Sequence, residues 1–441
     1  MRFAAILPLI LLSLLLLAFL RTPIPAAPLA DAAALGEELE AAAGAGNLAE
    51  ARRLIRELGA SGEAAATAWV LRSMTAFDDA EIAGDVIDAL RALGVDRIGE
   101  ACEAELAREK SPPIIRAVIL AAVEGFDDER SERWLVEALA AKDDMVLRNA
   151  IDSLVRRRSK AGIPALIDLL DRLGGKRTTS RYAVIDALLA LTGHEFETVE
   201  DWRKFWAAQG ASFDPNELDT EGRTGVARKR ATPRESEFFG VEVVSQRVMF
   251  VIDTSGSMVL YDEGGAEEGG SGADWRVRQR INRVRQQLKT AIAKLPAGSR
   301  FNIISFDDEV HRFSEKGIVP ADANWKKKGQ QFADRLIAAG ATHTDEAMRA
   351  AFRDKEIDTI ILLSDGAPAY RPARHNLIPE ILDEVRRMNR IRKVKIYTFG
   401  FDGPGSAPPN SRQDPNRNPE PLIEFLKTLA SENGGTYTSI R

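Results

Sequence analysis

A helical pattern that returns about every 32 residues runs through the first half of the chain. Arg116, Arg148 and Arg181 follow one another at intervals of 32 and 33 residues, and Gly84 stands 32 residues before Arg116. An apolar helix, a polar turn and a second helix follow each of these positions. Because one helix pair cannot bury its apolar face alone, successive pairs must stack. The sequence therefore predicts an all-α repeat domain over residues 33–207, with an irregular helical bundle as the alternative.

The end of this region and the segment after it change in character. Trp202 and Trp206 lie four residues apart on one face of a predicted helix, and we expect them to close the array. Residues 208–236 contain few large apolar side chains and scattered Gly and Pro, which is typical of a linker. The basic cluster at 228–230 is interpreted as solvated linker charge.

Strands alternate with helices from residue 237 to residue 441. The segment 247–253 has a continuous apolar centre, which is typical of a strand buried on both faces of a parallel sheet. Four more strands are predicted, at residues 300–306, 357–363, 394–400 and 435–440. Helices are predicted between them, at about 276–295, within 325–353, near 378–390 and at 420–430. This order favours an α/β domain with an open, doubly wound (Rossmann-like) sheet, in which ligands bind at the carboxyl ends of the strands.

Two carboxylates and three hydroxyls accompany the strand ends of this half. Asp253, Ser255 and Ser257 follow the first strand as Asp-x-Ser-x-Ser, Asp365 follows a later apolar strand, and Thr342 lies between them in Gly-Ala-Thr-His-Thr. Each motif alone is typical of an ordinary turn or a helix cap. All five side chains offer hard oxygen donors, which suit Mg²⁺, Mn²⁺ or Ca²⁺ better than zinc. Their joint order predicts a cation site.

These motifs together resemble the metal-ion-dependent adhesion site of the von Willebrand factor A-type (VWA) family. The similarity covers about residues 240–441 and includes the closing segment Leu-Ala-Ser-Glu-Asn-Gly-Gly-Thr-Tyr-Thr-Ser-Ile. The resemblance implies that the two serines bind the cation directly, and that the threonine and the two aspartates bind it directly or through water. It implies Mg²⁺ first, with Ca²⁺ or Mn²⁺ as alternatives, and an open position for an Asp or Glu carboxylate of a protein partner.

The first half is similar to HEAT-type repeats, although its period is shorter than the roughly 40 residues usual for them. Helical arrays of this kind supply extended protein-binding surfaces, so a second protein contact through the repeats is expected. The whole chain is thus expected to be a multidomain protein, with a HEAT-like solenoid followed by a VWA domain.

Composition and motifs exclude several functions. Sixty Lys and Arg against 66 Asp and Glu give a net charge of -6, which argues against a nucleic-acid binder. Cys102 is the only cysteine, so a disulfide within the chain and a cysteine-rich zinc site are excluded. The sequence has neither a Gly-x-Ser-x-Gly elbow nor a phosphate-binding loop.

We therefore expect a non-enzymatic, divalent-metal-dependent protein-binding module. Three alternatives stay open: a VWA-type subunit of an ATPase-driven complex, a structural scaffold and, remotely, an aspartic-type hydrolase. The last is suggested by Asp-Thr-Ser at 253–255, although such enzymes need two matching turns on mainly β lobes.

An uncharged apolar run of 18 residues at 3–20 lies between Arg2 and Arg21. This length is at the lower limit for a membrane-spanning helix and exceeds the usual core of a signal peptide. Ala-Asp-Ala at 30–32 offers a small-x-small cleavage site. Residues 1–32 are therefore predicted to be a signal peptide or an uncleaved membrane anchor. The rest of the chain is expected outside the cytoplasm, in the periplasm or at the cell surface of a bacterium.

Two insertions lengthen loops at the predicted ligand edge of the sheet. Residues 260–274 are rich in Gly and acidic side chains, and residues 402–421 are rich in Pro and Asn. One hypothesis is that Asp262, or one of Glu263, Glu267 and Glu268, occupies the open metal position as an internal competitor. The alternative is a flexible exposed loop.

Overall fold

The computed structural model describes most of the chain beyond the amino-terminal segment. The described ranges are 31–77, 80–175, 178–218, 237–242, 245–262, 276–369, 377–401, 403, 405–408 and 420–440. Residues 1–30 of the predicted signal or anchor, the basic cluster at 228–230 and most of both insertions lie outside them. Within those ranges, no helix is both long and apolar enough to cross a membrane.

Eleven α-helices build the first part of the described chain. They are α1 (Ala32–Gly44), α2 (Leu48–Ser61), α3 (Ala66–Ala76), α4 (Ala80–Leu93), α5 (Val95–Ala107), α6 (Pro113–Val123), α7 (Glu129–Ala138), α8 (Asp144–Arg156), α9 (Gly162–Leu173), α10 (Thr179–Thr192) and α11 (Val199–Gln209). Side-chain oxygens cap several of these helices by accepting N–H bonds in the first turn, as Asp143 does for α8 and Thr178 for α10.

The helices stack as a repeat array. The even-numbered helices pack one on the next from α2 to α10 as a single layer, here called the even-helix layer. The odd-numbered helices cover one side of it and share one continuous apolar core with it. The predicted helical repeat domain is confirmed. Cys102 lies buried in this core, and burial raises the pKa of its thiol to about 12.

Helix α11 closes the array with aromatic contacts. Trp202 is fully buried and meets the Phe196 ring edge-to-face, at 4.8 Å between centroids. Phe213 packs edge-to-face against Phe205 and Trp206. Residues 210–218, which the sequence assigns to the linker, therefore pack on the array. The segment has few large apolar residues, so its composition is typical of a linker. The contact that Phe213 makes with α11 is too small a signal to change that composition.

The second part is an α/β domain with a seven-stranded sheet and a separate two-stranded hairpin. Its strands are β1 (Glu237–Phe238), β2 (Val241–Glu242), β3 (Arg247–Asp253), β4 (Arg300–Phe306), β5 (Val310–Arg312), β6 (Val319–Pro320), β7 (Thr359–Ser364), β8 (Lys395–Phe401) and β9 (Tyr437–Ile440). Its α-helices are α12 (Arg280–Lys294), α13 (Ala323–Asp334), α14 (Thr344–Phe352), α15 (Ile378–Asn389) and α16 (Glu420–Glu432).

Five parallel strands stand in the order β4-β3-β7-β8-β9, and the short antiparallel strands β5 and β6 pair with β4. Side chains of β3 alternate between two apolar cores, Val248 and Phe250 on one face and Met249 and Val251 on the other. Because the chain winds outward from β3 in both directions, the strand order reverses there. The predicted doubly wound sheet is confirmed.

The pairings of β1 with β2, and of β5 and β6 with β4, were not predicted. These strands have two or three residues, too few to show an alternating pattern.

Candidate metal centre

The carboxyl end of β3 presents Asp253 at the point where the strand order reverses. Its side chain is fully buried. Oδ1 accepts a hydrogen bond of 2.7 Å from the Ser255 backbone N–H, and Oδ2 accepts one from the Ser364 hydroxyl at the end of β7. A 3₁₀ turn at Gly256–Val259 then redirects the chain and keeps both serines of the motif beside the strand end. Asp253 is thus held from two neighbouring strands.

Asp365 directly follows β7, the neighbour of β3. Its Oδ1 accepts a hydrogen bond of 2.6 Å from the Ser257 hydroxyl. The Ser255 and Ser257 hydroxyl oxygens lie 3.1 Å apart. All three side chains are buried, with at most 7% of the residue exposed. Four of the five predicted site residues therefore form one buried, hydrogen-bonded cluster.

Thr342, the fifth predicted residue, lies in a loop that packs alongside the Asp-x-Ser-x-Ser turn. The Gly256 N–H donates to the Gly340 carbonyl at 3.1 Å, and the Ala339 N–H donates to the Thr254 carbonyl at 2.8 Å. Gly340 has a φ of +73°, and a Cβ there would lie 2.6 Å from an Asp308 carboxylate oxygen, so this position requires glycine. Thr342 follows two residues later in this loop, is 5% exposed and exchanges backbone hydrogen bonds of 3.0 Å with Ala369.

Burial and a neighbouring carboxylate disfavour the ionised form of Asp253. Desolvation, and then the charge of Asp365, raise the pKa of Asp253 to about 7. The described part of the chain contains no group of three or more His, Cys, Asp or Glu side chains that could hold a metal ion. A cation at this edge would therefore depend on the serine and threonine hydroxyls as well as on the two carboxylates.

Two residues that contact the cluster were not predicted from the sequence. Ser364 donates to Asp253, and Arg280 donates from Nη1 to Asp365 Oδ2 at 2.9 Å. Arg280 is 1% exposed and also donates to the Gly403 carbonyl at 2.8 Å. It lies on the same face of α12 as the buried Val284. In the sequence, an arginine on the apolar face of a predicted helix is the feature that could have identified Arg280.

Asp262 is the described member of the acidic insertion. Its Oδ1 accepts hydrogen bonds of 3.1 Å from Nε and Nη2 of Arg280, and its Oδ2 accepts one of 2.6 Å from Arg283 Nη1. Both carboxylate oxygens are therefore engaged by arginines and not by the cluster hydroxyls. Glu263, Glu267 and Glu268 of the competitor hypothesis lie outside the described residues.

Comparison with known families agrees with this architecture. Residues 248–368 match the family model of the von Willebrand factor type A domain, and residues 103–188 match that of HEAT repeats. The chain thus consists of HEAT-like helical repeats followed by an α/β VWA domain. Thr342 and Asp365 both fall inside the matched VWA segment.

Several proteins are similar to part of the chain. The chain is 27% identical to human von Willebrand factor A domain-containing protein 3B over 157 residues, 36% of this chain and 10% of that protein. It is 29% identical to human inter-alpha-trypsin inhibitor heavy chain H4 over 208 residues, 44% of this chain and 18% of that protein. The match therefore spans less than a fifth of the length of either relative.

Among solved structures, a von Willebrand factor type A protein from Catenulispora acidiphila is similar at 18% identity and a TM-score of 0.32. The match covers 44% of this chain and 38% of that one.

Proposed function

We propose that this chain is a non-enzymatic, divalent-cation-dependent protein-binding module of the bacterial cell envelope. The observation that carries the proposal is the buried, hydrogen-bonded cluster of Asp253, Ser255, Ser257 and Asp365 at the carboxyl edge of the sheet. VWA domains are protein-interaction modules, and this edge is where doubly wound sheets bind ligands.

The donor set fits a hard cation. Carboxylate and hydroxyl oxygens suit Mg²⁺ first, and Ca²⁺ or Mn²⁺ as alternatives. The raised pKa of Asp253 supports this fit, because desolvation and the nearby charge of Asp365 disfavour the ionised carboxyl, and a cation beside it would offset this effect. When bound, the cation would offer an open coordination position to a carboxylate.

The side chains have separate roles in this proposal. Ser255 and Ser257 contribute hydroxyl ligands, with Asp253, Asp365 and Thr342 binding directly or through water. Ser364 and Arg280 hold the two aspartates in place. The partner offers an Asp or Glu side chain. The location in the envelope rests on the apolar run at 3–20, which we infer to be a signal peptide or an anchor.

Cation binding is tested first on the purified protein. Titration calorimetry with Mg²⁺ and Mn²⁺ is expected to show one site in the wild type and none in Ser255→Ala/Ser257→Ala. The matched control, Ser212→Ala/Ser431→Ala, removes two serine hydroxyls remote from this site and should bind as the wild type does. Absence of cation binding in the folded wild type would refute the proposal.

Partner binding is then tested by affinity capture from an envelope extract with Mg²⁺, with EDTA, and with the double serine variant. Melting curves verify that every bait is folded. A partner recovered only by the cation-loaded wild type supports the adhesive function, and changing the Asp or Glu that contacts the cation in that partner to alanine should abolish its recovery. A partner recovered equally under all three conditions would leave the cation a structural role, as in a scaffold.

A further inference from the structure

Ion pairs between the repeat array and the VWA domain all have the same polarity. Among the described residues there are four, and in each the cation belongs to the VWA domain and the aspartate to the array. They are Arg390–Asp88 at 2.7 Å, Lys393–Asp152 at 2.5 Å, Lys395–Asp186 at 3.1 Å and Arg247–Asp144. One surface supplies all the cations and the other supplies all the aspartates. The two surfaces are therefore electrostatically complementary, as is expected of surfaces that bind each other.

The four cations lie at one edge of the VWA sheet, opposite the candidate metal centre. Arg247 is the first residue of β3 and Lys395 the first residue of β8. Arg390 and Lys393 lie in the loop at 390–394, which joins α15 to β8. We call this loop the docking loop.

The docking loop also buries an apolar side chain in the array. Ile391 is 3% exposed and belongs to the apolar core of the repeats, not to either core of its own domain. Its carbonyl accepts a hydrogen bond of 2.7 Å from the Asn149 side chain of α8. Lys393 follows with a φ of +51°, a conformation that non-glycine residues adopt rarely. In this conformation Lys393 pairs with Asp152 and Ile391 is buried in the array.

The aspartates recur with the repeat. Asp88, Asp152 and Asp186 each occupy the second position of Ile-Asp-(Ala/Ser)-Leu, on α4, α8 and α10. On α6, which lies between α4 and α8, the corresponding segment reads Ile-Leu-Ala-Ala, and Leu120 is fully buried there. One repeated position of the even-helix layer therefore carries an aspartate that pairs with the VWA domain on three helices, and a buried leucine on the fourth.

Gly84 breaks the arginine pattern of the repeats at the point where the docking loop enters. Arginine stands at the corresponding position of the next two repeats, as Arg116 and Arg148, and the last repeat has Arg181 one residue out of this register. At Gly84, Arg390 Nη1 comes within 3.4 Å of the carbonyl oxygen, and a Cβ would lie 3.3 Å from the same nitrogen. The VWA domain thus places a guanidinium beside Gly84, where each of the next two repeats has an arginine of its own.

We propose that the even-helix layer is a receptor for the amino-end edge of this chain's own VWA domain. The array would then hold that domain with its candidate metal edge facing away from the repeats. This inference does not depend on cation binding. In this proposal, the VWA domain of the same chain occupies the surface of the repeats that was expected to contact a second protein.

The test uses the full chain with a protease recognition sequence inserted within residues 219–236 and cleaved after folding. In about 0.1 M salt, the two halves of the wild type are expected to co-elute in size-exclusion chromatography. Arg390→Glu/Lys393→Glu should weaken their association at least tenfold. Adding Asp88→Lys/Asp152→Lys should restore it, because the pairs are re-formed with reversed polarity.

Arg335→Glu/Lys327→Glu is the matched control, since it makes the same charge change at two exposed residues outside the four pairs. Circular dichroism of the uncleaved variants verifies folding. Separation of the cleaved wild-type halves would overturn the proposal. So would co-elution of the Arg390→Glu/Lys393→Glu variant with wild-type affinity, or equal weakening by the control.

Discussion

Burial changes how tightly the carboxyl group of Asp253 binds a proton. Its carboxyl binds a proton more tightly in the folded, cation-free protein than in the unfolded chain, because its folded pKa is about 7 against an ordinary value of 3.8. The stability from this tighter binding is fully present below the ordinary pKa and is lost as pH rises through about 7. A cation needs the ionised form, so its apparent affinity should rise over the same window.

We predict that, in EDTA, the wild type loses stability between pH 5.5 and pH 8 relative to Asp253→Asn. The amide is neutral throughout, so the variant lacks the titration of this side chain. Thermal melts of the two proteins over this range measure the difference. Parallel pH profiles would show that Asp253 is already ionised at pH 5.5 in the folded state.

Helix α12 is the element that brings positive charge to the candidate metal centre. It begins at Arg280, whose guanidinium contacts Asp365 and Asp262 and lies 5.3 Å from the Phe401 ring centroid. A fixed cation this close to one proposed ligand repels a divalent cation and weakens its binding. Orientation of Asp365 by the same hydrogen bond acts in the opposite direction.

If the chain binds a cation as proposed, Arg280→Gln should lower the Kd for Mn²⁺ about tenfold or more, while Arg280→Lys should leave it nearly unchanged. Arg283→Gln is the control, because Arg283 pairs with Asp262, the carboxylate that Arg280 also contacts. Titration calorimetry shows whether Arg280 mainly repels the bound cation or mainly orients Asp365. Weaker binding by the glutamine variant would identify Arg280 as a residue that mainly positions Asp365.

At the scale of the whole molecule, strand β3 separates two surfaces with different tasks. Arg247 at its amino end pairs with the repeat array, and Asp253 at its carboxyl end belongs to the candidate metal centre. Seven residues of strand span about 20 Å, twice the screening length of salt near 0.1 M. The two surfaces should therefore act independently.

We predict that Lys393→Glu, at the array side, changes the Kd for Mn²⁺ by less than about twofold. Calorimetry on the uncleaved full chain measures this, with Asp253→Ala as the variant that should abolish binding. A change of fivefold or more would mean that docking and cation binding are coupled through the sheet.

The sequence by itself determined both fold classes and most of the candidate centre. Helical and strand periodicities are local, so they reveal elements such as α8 and β3 without knowledge of their neighbours. Asp253, Ser255 and Ser257 lie within five residues, and Asp365 follows a strand of the same sheet, so strand order alone predicts that they meet.

Only the tertiary structure decided which distant residues support that centre and how the two domains meet. Ser364 contacts Asp253 through a pairing that leaves no local pattern, and the local pattern around Arg280 indicates burial but does not identify Asp365 as its partner. Arg390 and Asp88 are 302 residues apart, and each alone resembles a solvated surface charge. Side-chain periodicity reports which face of an element is buried, but it does not identify the partner surface. For that reason the docking of the VWA domain on the repeats could not be predicted.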